Sequence, residues 1–428
     1  MRKLRSSVRK LVLLTVLVAC APPQQRDSLV VRVAVWGALR PLKPLTDDPN
    51  LADVAYPWVF EKVGAVDESG QLRPVFATAI ERLSATAMRI SLRQGTTFSD
   101  GTPVSEAAVI RSLTASGLRA EERKGALVVE SQDRMIPPEV LLNRAPIYQE
   151  VNGQFLGTGP FAVAEQSEHE MRLVRRRPEH GRINEVRLIA YSSTRDAFAH
   201  TLKGDANLIV DLEPRFREFF DGVPSLHVIR GTGRSTDAIL FNLDLPRDER
   251  MRLASALGSE QVRELAYGHD ECAESREAHE ETKPLPPGRA LNIVGWGPFE
   301  RLALAARRAL GDRGGDVILA TPRDAMDRIK KRQFDLFTVR PLKWSPSAMV
   351  LFWHTGSPEN AVGYSNPAMD RALDSGDWDA AQAALRNDPP AAFVCTRDHL
   401  AVVDARIKNP VLGPSEALET LPEWEVAQ

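Results

Sequence analysis

Hydrophobic patterning sets out the first elements. Val30 to Trp36 is a β-rich run with partial alternation and predicts a strand. Ala55 to Lys62 predicts the start of a helix. Met88-Arg89-Ile90-Ser91-Leu92-Arg93 alternates apolar and polar positions, as a half-buried strand does. A turn-rich loop, Gly95 to Gly101, separates it from an apolar stripe at Val109, Ile110 and Leu113. Ser105 is placed to cap that helix. After Gly157-Thr158-Gly159-Pro160, the stretch Phe161 to Val174 reads as a strand pair. Strands are then expected near Val186–Tyr191, Leu208–Leu212, Leu226–Arg230 and Ala238–Leu243. Helices are expected over Arg195–Leu202, Arg215–Phe220, Arg247–Leu257 and Ser259–Tyr267. His269 to Pro287 is polar and proline-rich, a loop or linker. Beyond it come strand Leu291–Val294, a helix lined by Leu302, Leu304, Ala305 and Leu310, strand Val317–Leu319, helix Ala325–Lys331 and strand Phe334–Val339. Pro298 sits where a first-turn proline belongs. This βαβαβ run implies parallel strands with right-handed crossovers. No internal repeat or low-complexity tract is visible.

The N-terminal pattern is different. Arg2, Lys3, Arg5, Arg9 and Lys10 form a basic head, and Leu11 to Ala19 a short apolar run. A membrane span needs about 20 apolar residues, and this run is half that, so the block reads as a secretory signal. It ends Leu17-Val18-Ala19-Cys20, which resembles the bacterial lipobox, with Cys20 the acylated residue. Ala21-Pro22-Pro23-Gln24-Gln25 reads as a tether.

Overall composition is that of a globular protein, 43% hydrophobic and 26% charged over 428 residues. Without the five basic residues of the leader, 50 basic residues face 57 acidic ones, a net charge of about −7. That balance offers nothing to nucleic acid. With no second long apolar segment, the acyl chain is the expected membrane attachment. After export Cys272 and Cys395 occupy an oxidising space, so a disulfide between them is open.

Catalytic patterns do not survive a test of context. Gly157-x-Gly159-x-x-Ala162 superficially fits a dinucleotide fingerprint, but it precedes a strand-like run where a helix is required. There is no P-loop, Gly-x-Ser-x-Gly elbow, His-Glu-x-x-His or Cys-x-x-Cys. His269, Asp270, Glu271, Cys272, Glu277, His279, Glu280 and Glu281 include metal-ligand types. They lie in a hydrophilic linker, where such runs are usually solvated, so no metal site and no cofactor is expected.

Several segments, in order, resemble the family 5 solute-binding proteins of ABC importers, the oligopeptide, dipeptide and nickel binders. Ile90-Ser91-Leu92-Arg93-Gln94-Gly95 with Phe98-Ser99-Asp100-Gly101-Thr102-Pro103-Val104 is similar to the family's "L-R-x-G-x-x-F-x-D-G-x-P". Gly157-Thr158-Gly159-Pro160-Phe161 resembles "G-T-G-P-Y", and Leu202-Lys203-Gly204-Asp205-Ala206-Asn207 resembles "L-x-x-G-E-V-D". Leu240-Phe241-Asn242 with Arg252 to Leu257 is similar to "F-N … V-R-x-A-L". Gly363-Tyr364-Ser365-Asn366-Pro367-Ala368-Met369-Asp370 resembles "G-Y-S-N-P-x-x-D". Gly101, Gly159 and Asp100 suit tight turns and loop hydrogen bonds, so these motifs mark scaffold more than ligand contacts.

The resemblance implies an α/β, two-lobed periplasmic binding protein (type II, Venus-flytrap) with an extra N-terminal subdomain and two hinge strands. Those strands are expected near Thr236–Leu243 and Ala391–Thr396. The implied division is signal peptide 1–19, tether 20–28, first lobe 29–52 with 157–236 and 396–428, extra subdomain 53–156, and second lobe 237–395. The implied function is capture of a peptide-like or other small polar solute, without catalysis, for delivery to ABC permease subunits. The protein would be a monomer in the periplasm, held to the membrane by its lipid anchor. The alternative is a repurposed lipoprotein that serves as a sensor or interaction protein without transport. Expected cleft residues are Tyr56, Phe241, Asn242, Arg340, Trp344 and Trp353, the tryptophans stacking on a planar or apolar part of the ligand. The chain is shorter than most members, with 118–156 and 311–335 pruned. The family's acidic "W-x-x-D-x-x-D-P" is also replaced by Arg340-Pro341-Leu342-Lys343-Trp344-Ser345-Pro346-Ser347. A buried ammonium without a carboxylate partner costs several kcal/mol, which argues against recognition of a free peptide N-terminus. Arg340 and Lys343, if they point inward, favour a carboxylate or phosphate.

Overall fold

The computed structural model describes residues 30–45, 51, 54–67, 71–84, 86–133, 136–210, 212–268, 272, 285, 287–340, 346–357, 360–413 and 417–427. Its framework is one ten-stranded sheet. In spatial order the strands are Phe161–Gln166, Glu170–Arg175, Glu185–Tyr191, Val30–Trp36, Leu208–Val210, Ala391–Asp404, Leu226–Phe241, Leu336–Val339, Leu291–Trp296 and Gly314–Ala320. Val30–Trp36 runs parallel to both neighbours, and Leu291–Trp296 is parallel to both of its own. Between these parallel groups lie the two longest strands, Leu226–Phe241 and Ala391–Asp404, 16 and 14 residues.

Those two strands join the lobes. Val210, Ile209 and Leu208 pair with Ala401, Val402 and Val403 in the first lobe. At the other end Ala238 to Phe241 pair with Val339 to Leu336 in the second. Each long strand therefore starts in one lobe and finishes in the other. The sequence pattern suggested two separate strands, 226–230 and 238–243. The polar stretch from Gly231 to Asp237 reads as a break, yet cross-strand pairing with 395–398 keeps it extended. The ladder is irregular there, with register shifts between Arg230 and Arg234 and between Asp237 and Ala238.

Each lobe covers both faces of its half of the sheet, as a partly parallel sheet requires. In the first lobe Val31, Val33 and Val35 point into one cluster with Trp58 and Phe161, while Ala34 meets Ile209 and Val402 on the other face. In the second, Ile239, Phe241 and Ile293 pack against helix Glu300–Leu310, while Ala238, Leu240 and Val294 pack with Trp353 and Tyr364. The period of two along each strand decides which residue faces which layer.

A four-stranded antiparallel sheet, with helix Glu106–Ala115 against it, builds the subdomain around Ile90, Phe98, Leu113 and Val129. Ser105 caps the helix, its hydroxyl accepting from Ala108 N at 3.2 Å. The helix expected over 55–62 is only Tyr56–Val59. Leu51, Val54, Ala55, Tyr56, Trp58, Val59 and Phe60 bury their side chains in the first-lobe cluster.

The family-like turns are pinned by one side chain. Arg176 donates to the carbonyls of Thr158, Gly159, Thr97 and Phe98 and to the Thr97 hydroxyl, at 2.6 to 3.3 Å. Ser99 N also donates to Gly157 O at 3.0 Å. Glycine is required at 157 and 159 because a Cβ there would run into the carbonyls of Val59 and Trp58.

Candidate functional site

Open α/β sheets bind ligands outside the carboxyl ends of their parallel strands. Three such ends meet here. Val30–Trp36 and Leu291–Trp296 both finish on a tryptophan followed by glycine, one in each lobe. Trp36 and Trp296 face each other with centroids 6.4 Å apart and planes tilted by 40°. Both are half-buried. Gly297 adopts φ +47°, and a Cβ on it would stand 2.5 Å from the Trp36 ring. The two lobes are thus in contact at this point, and only glycine permits that approach. The Trp296 indole donates to Thr338 O at 3.1 Å, which fixes the ring, and Phe299 packs 5.4 Å from it.

Strand Leu336–Val339 ends at Arg340, which lies over the Phe299 ring at 5.4 Å. Its Nε donates to Asp237 Oδ1 at 2.6 Å and its Nη2 to Oδ2 at 3.4 Å. Asp237 sits on the crossing strand Leu226–Phe241 and is 1% exposed. Tyr267 donates its hydroxyl to Asp237 Oδ2 at 2.9 Å. From the other crossing strand Arg397, 5% exposed, brings its Nε to 3.6 Å from the same oxygen. That is an ion pair beyond hydrogen-bond distance, and the Arg397 Nε is buried without a hydrogen-bond partner.

Burial pushes the Asp237 carboxyl up, but Arg340 and Arg397 more than offset it and hold it below the usual range. The phenol of Tyr267 is pushed well above its ordinary value, first by burial and then by the charge on Asp237. At neutral pH the cluster therefore holds a carboxylate, a neutral phenol and two guanidiniums. Cys395 is the cross-strand partner of Asp237, and its disulfide to Cys272 ties that residue to the crossing, with Cα atoms 5.1 Å apart. Elsewhere, Ile136 and Val140 of the subdomain meet Leu351 of the second lobe.

This arrangement of two lobes joined by two continuous crossing strands superposes on solved structures. The oligopeptide-binding protein AppA from Bacillus subtilis, in complex with a nonapeptide, superposes with a TM-score of 0.76 at 14% identity, over 93% of this chain and 99% of that one. This chain has the two-lobed solute-binding fold. AgaA of A. tumefacien R10, in complex with agropinic acid, gives 0.74 at 16% identity, over 94% and 99%. NikZ from Campylobacter jejuni, in complex with Ni(L-His), gives 0.72 at 15%, over 92% and 99%. No family model and no curated protein matches the sequence.

Within this fold the residues expected in the cleft separate. Arg340 lies in the crossing cluster. Phe241 is fully buried in the second-lobe core. Trp353 is 2% exposed and packs edge-on against Tyr364 and Phe393. Tyr56 is buried in the first lobe beside Phe60, its hydroxyl accepting from Leu45 N. Asn242 holds a turn, donating to Phe334 O at 2.9 Å and accepting from Asp244 N at 3.0 Å. Large apolar rings and turn-forming amides are what a scaffold consumes, which accounts for these four. Trp344 and Lys343 lie outside the described residues, as do Cys20 and all of the acidic His/Glu linker except Cys272. Among the described residues no group of three metal-ligating side chains converges, and no helix is long and apolar enough to cross a membrane.

Trp36, Trp296, Asp237 and Arg397 were not anticipated. One signal was available for the first two: a Trp-Gly pair at the end of the strand expected over Val30–Trp36 and another just beyond that expected over Leu291–Val294.

Proposed function

We propose that the protein captures a small polar solute between its lobes, outside the cytoplasm, and delivers it to an ABC importer. The observation that carries this reading is the pair of strands that cross between the lobes with buried charge at the crossing. Such a joint lets the lobes part and close, and ligand stabilises the closed form because only that form touches it from both sides. The neighbours of this fold hold a nonapeptide, agropinic acid and a nickel–histidine complex, so the fold accommodates solutes of very different size. Lipidation at Cys20 would keep the protein at the membrane where the permease is met. A bare sensor or interaction scaffold has no need of a buried guanidinium nitrogen left without a hydrogen-bond acceptor, which favours capture over that alternative.

Native mass spectrometry of protein purified from its own membrane tests the reading, with a thermal-shift panel of peptides, amino acids, sugars, opines and metal chelates. A bound solute mass, or a rise in melting temperature of several degrees with one class, is expected by mass action. A protein that carries nothing and shifts with nothing sinks it. Cys20→Ser is expected to move the protein from the membrane fraction to the soluble one; retention in the membrane would refute the anchor.

A further inference from the structure

We infer that the strand crossing is an anion subsite, in which Arg397, backed by the Asp237–Arg340 pair, receives a carboxylate of the captured solute. The inference rests on the capture reading above and names the chemistry of its ligand.

Charge is the first reason. Among the described residues the ion pairs of the cluster join two guanidiniums to one carboxylate. Tyr267 is neutral, so it adds no negative charge to these pairs. A buried ion that lacks a counter-ion is costly, and proteins normally neutralise or pair it. Asp237 is already committed, since both of its oxygens accept from Arg340 and one also accepts from Tyr267. Arg397 receives only the remaining attraction, across 3.6 Å.

Hydrogen bonding is the second reason, and it is independent of the charge count. A guanidinium carries five N–H donors in a planar fork suited to two oxygens side by side. The Arg397 Nε is enclosed without an acceptor, although buried donors are nearly always satisfied. Two other deeply buried arginines obey that rule, whereas the Nε of Arg172, whose terminal nitrogens are paired with Glu165 and Glu185 nearer the surface, is also without an acceptor. Arg175 donates to Ile183 O at 2.8 Å and to Pro422 O, and Arg250 to Leu245 O, Pro389 O and Asp388. An exception at the crossing between lobes points to a donor kept for something that arrives.

Position is the third. Contacts run without a break from the aromatic pair that closes the gap to this side chain. Trp36 meets Trp296, Trp296 packs on Phe299, Phe299 lies under Arg340, Arg340 grips Asp237, and Asp237 faces Arg397. A carboxylate with an apolar or flat body would set its charge at Arg397 and its body toward the two tryptophans. The recognition is polarised: a solute whose only charge is an ammonium would meet repulsion where this one meets an ion pair.

Paired probes test this. Small carboxylic acids and their primary amides, for example N-acetyl-alanyl-alanine against N-acetyl-alanyl-alanine amide and indole-3-acetic acid against its amide, are titrated into the full chain by tryptophan fluorescence and thermal shift. The same titrations follow on Arg397→Gln and Arg397→Lys. At least one acid is expected to bind while its amide does not. Arg397→Gln should weaken that acid by about 30-fold or more, as loss of one partner of a buried charge pair does. Arg397→Lys should restore part of the affinity, because it keeps the charge and loses the fork. Circular dichroism and the unliganded melting temperature check that both variants fold. If Arg397→Gln does not fold, the acid–amide pairs on the unaltered chain still decide. Amides that bind as tightly as acids, or an acid that Arg397→Gln holds unchanged, overturn the anion subsite and leave capture standing. If a co-purified solute proves to be purely cationic, the result is the same. If no probe binds and nothing co-purifies, both readings fall.

Discussion

Two arginines show how differently this chain uses the same side chain. Arg176 donates to three carbonyls and a hydroxyl within 3.1 Å, and to a fourth carbonyl at 3.3 Å. It fastens the turns at 95–103 and 157–160 to each other. Arg397, more deeply buried, has an Nε with no acceptor and a carboxylate beyond hydrogen-bond reach. A satisfied arginine is part of the frame, and its loss leaves carbonyls unpaired. An unsatisfied one burdens the empty protein and gains value when ligand enters. The difference separates residues that hold the shape from residues held ready by it.

The largest expected effect comes from Asp237, which belongs to both descriptions. Asp237→Leu leaves two guanidiniums facing each other in the crossing, and should cost about 3–5 kcal/mol in urea unfolding. A loss below about 1 kcal/mol would mean that the pair is not compensated by this carboxylate, and the contrast would weaken. Acid titration asks the same question. The folded carboxyl has a depressed pKa, so the unfolded chain takes up its proton more readily. Stability from this group is present above about pH 4 and is lost as pH falls through the folded value. Asp237→Asn should flatten that limb of the stability–pH curve.

Next in size is Arg176→Ala, expected to cost about 2 kcal/mol, since it strips acceptors from several carbonyls at once. It should leave the affinity for any solute within a few-fold, because its contacts are in the frame. Arg397→Leu should do the reverse. With Asp237 and Arg340 still paired, removal of the third charge should change unliganded stability by less than about 1 kcal/mol, or raise it. Binding should be lost. If Arg397→Leu unfolds the protein and Arg176→Ala does not, the two roles are exchanged. The smallest effect expected is Ser105→Ala, about 1 kcal/mol for a lost helix cap, measured by thermal unfolding.

The frame was largely legible in the sequence because its signals are local. Alternation gave the strand at 87–92, Ser105 announced its helix, and the βαβαβ run gave the parallel strands around Leu291–Trp296. The turn motifs were read as scaffold, and Arg176 supplies the reason, although nothing near 95–103 in sequence points to position 176. The resemblance places the crossing strands near Thr236–Leu243 and Ala391–Thr396, where Leu226–Phe241 and Ala391–Asp404 run, but the charged cluster on them was not legible. Asp237 and Arg340 are 103 residues apart, and Arg397 comes from a third segment. Nothing in their local pattern distinguishes them from surface charges. The polar run at 231–237 even reads as the end of a strand, because alternation cannot show that a neighbouring strand will keep the chain extended. Trp353 suggests a ligand-stacking ring, and Phe241 a cleft residue, for the same property, large apolar area, that puts both in the core. The cysteine pair was undecided for a similar reason: proximity across 123 residues is a property of the fold.

One irregularity in the ladder bears on how the molecule works under thermal agitation. Between Arg230 and Arg234 four steps along one crossing strand answer two along the other, Leu400 to Asp398. Extra backbone at a joint is compliance: rotation there need not break the hydrogen bonds on either side of it. The elastic penalty for swinging one half against the other can then be small, and little of a solute's interaction energy is consumed in bending the protein. Deletion of residues 231 and 232 would stiffen the joint, and the encounter rate with solute should fall before the final affinity does.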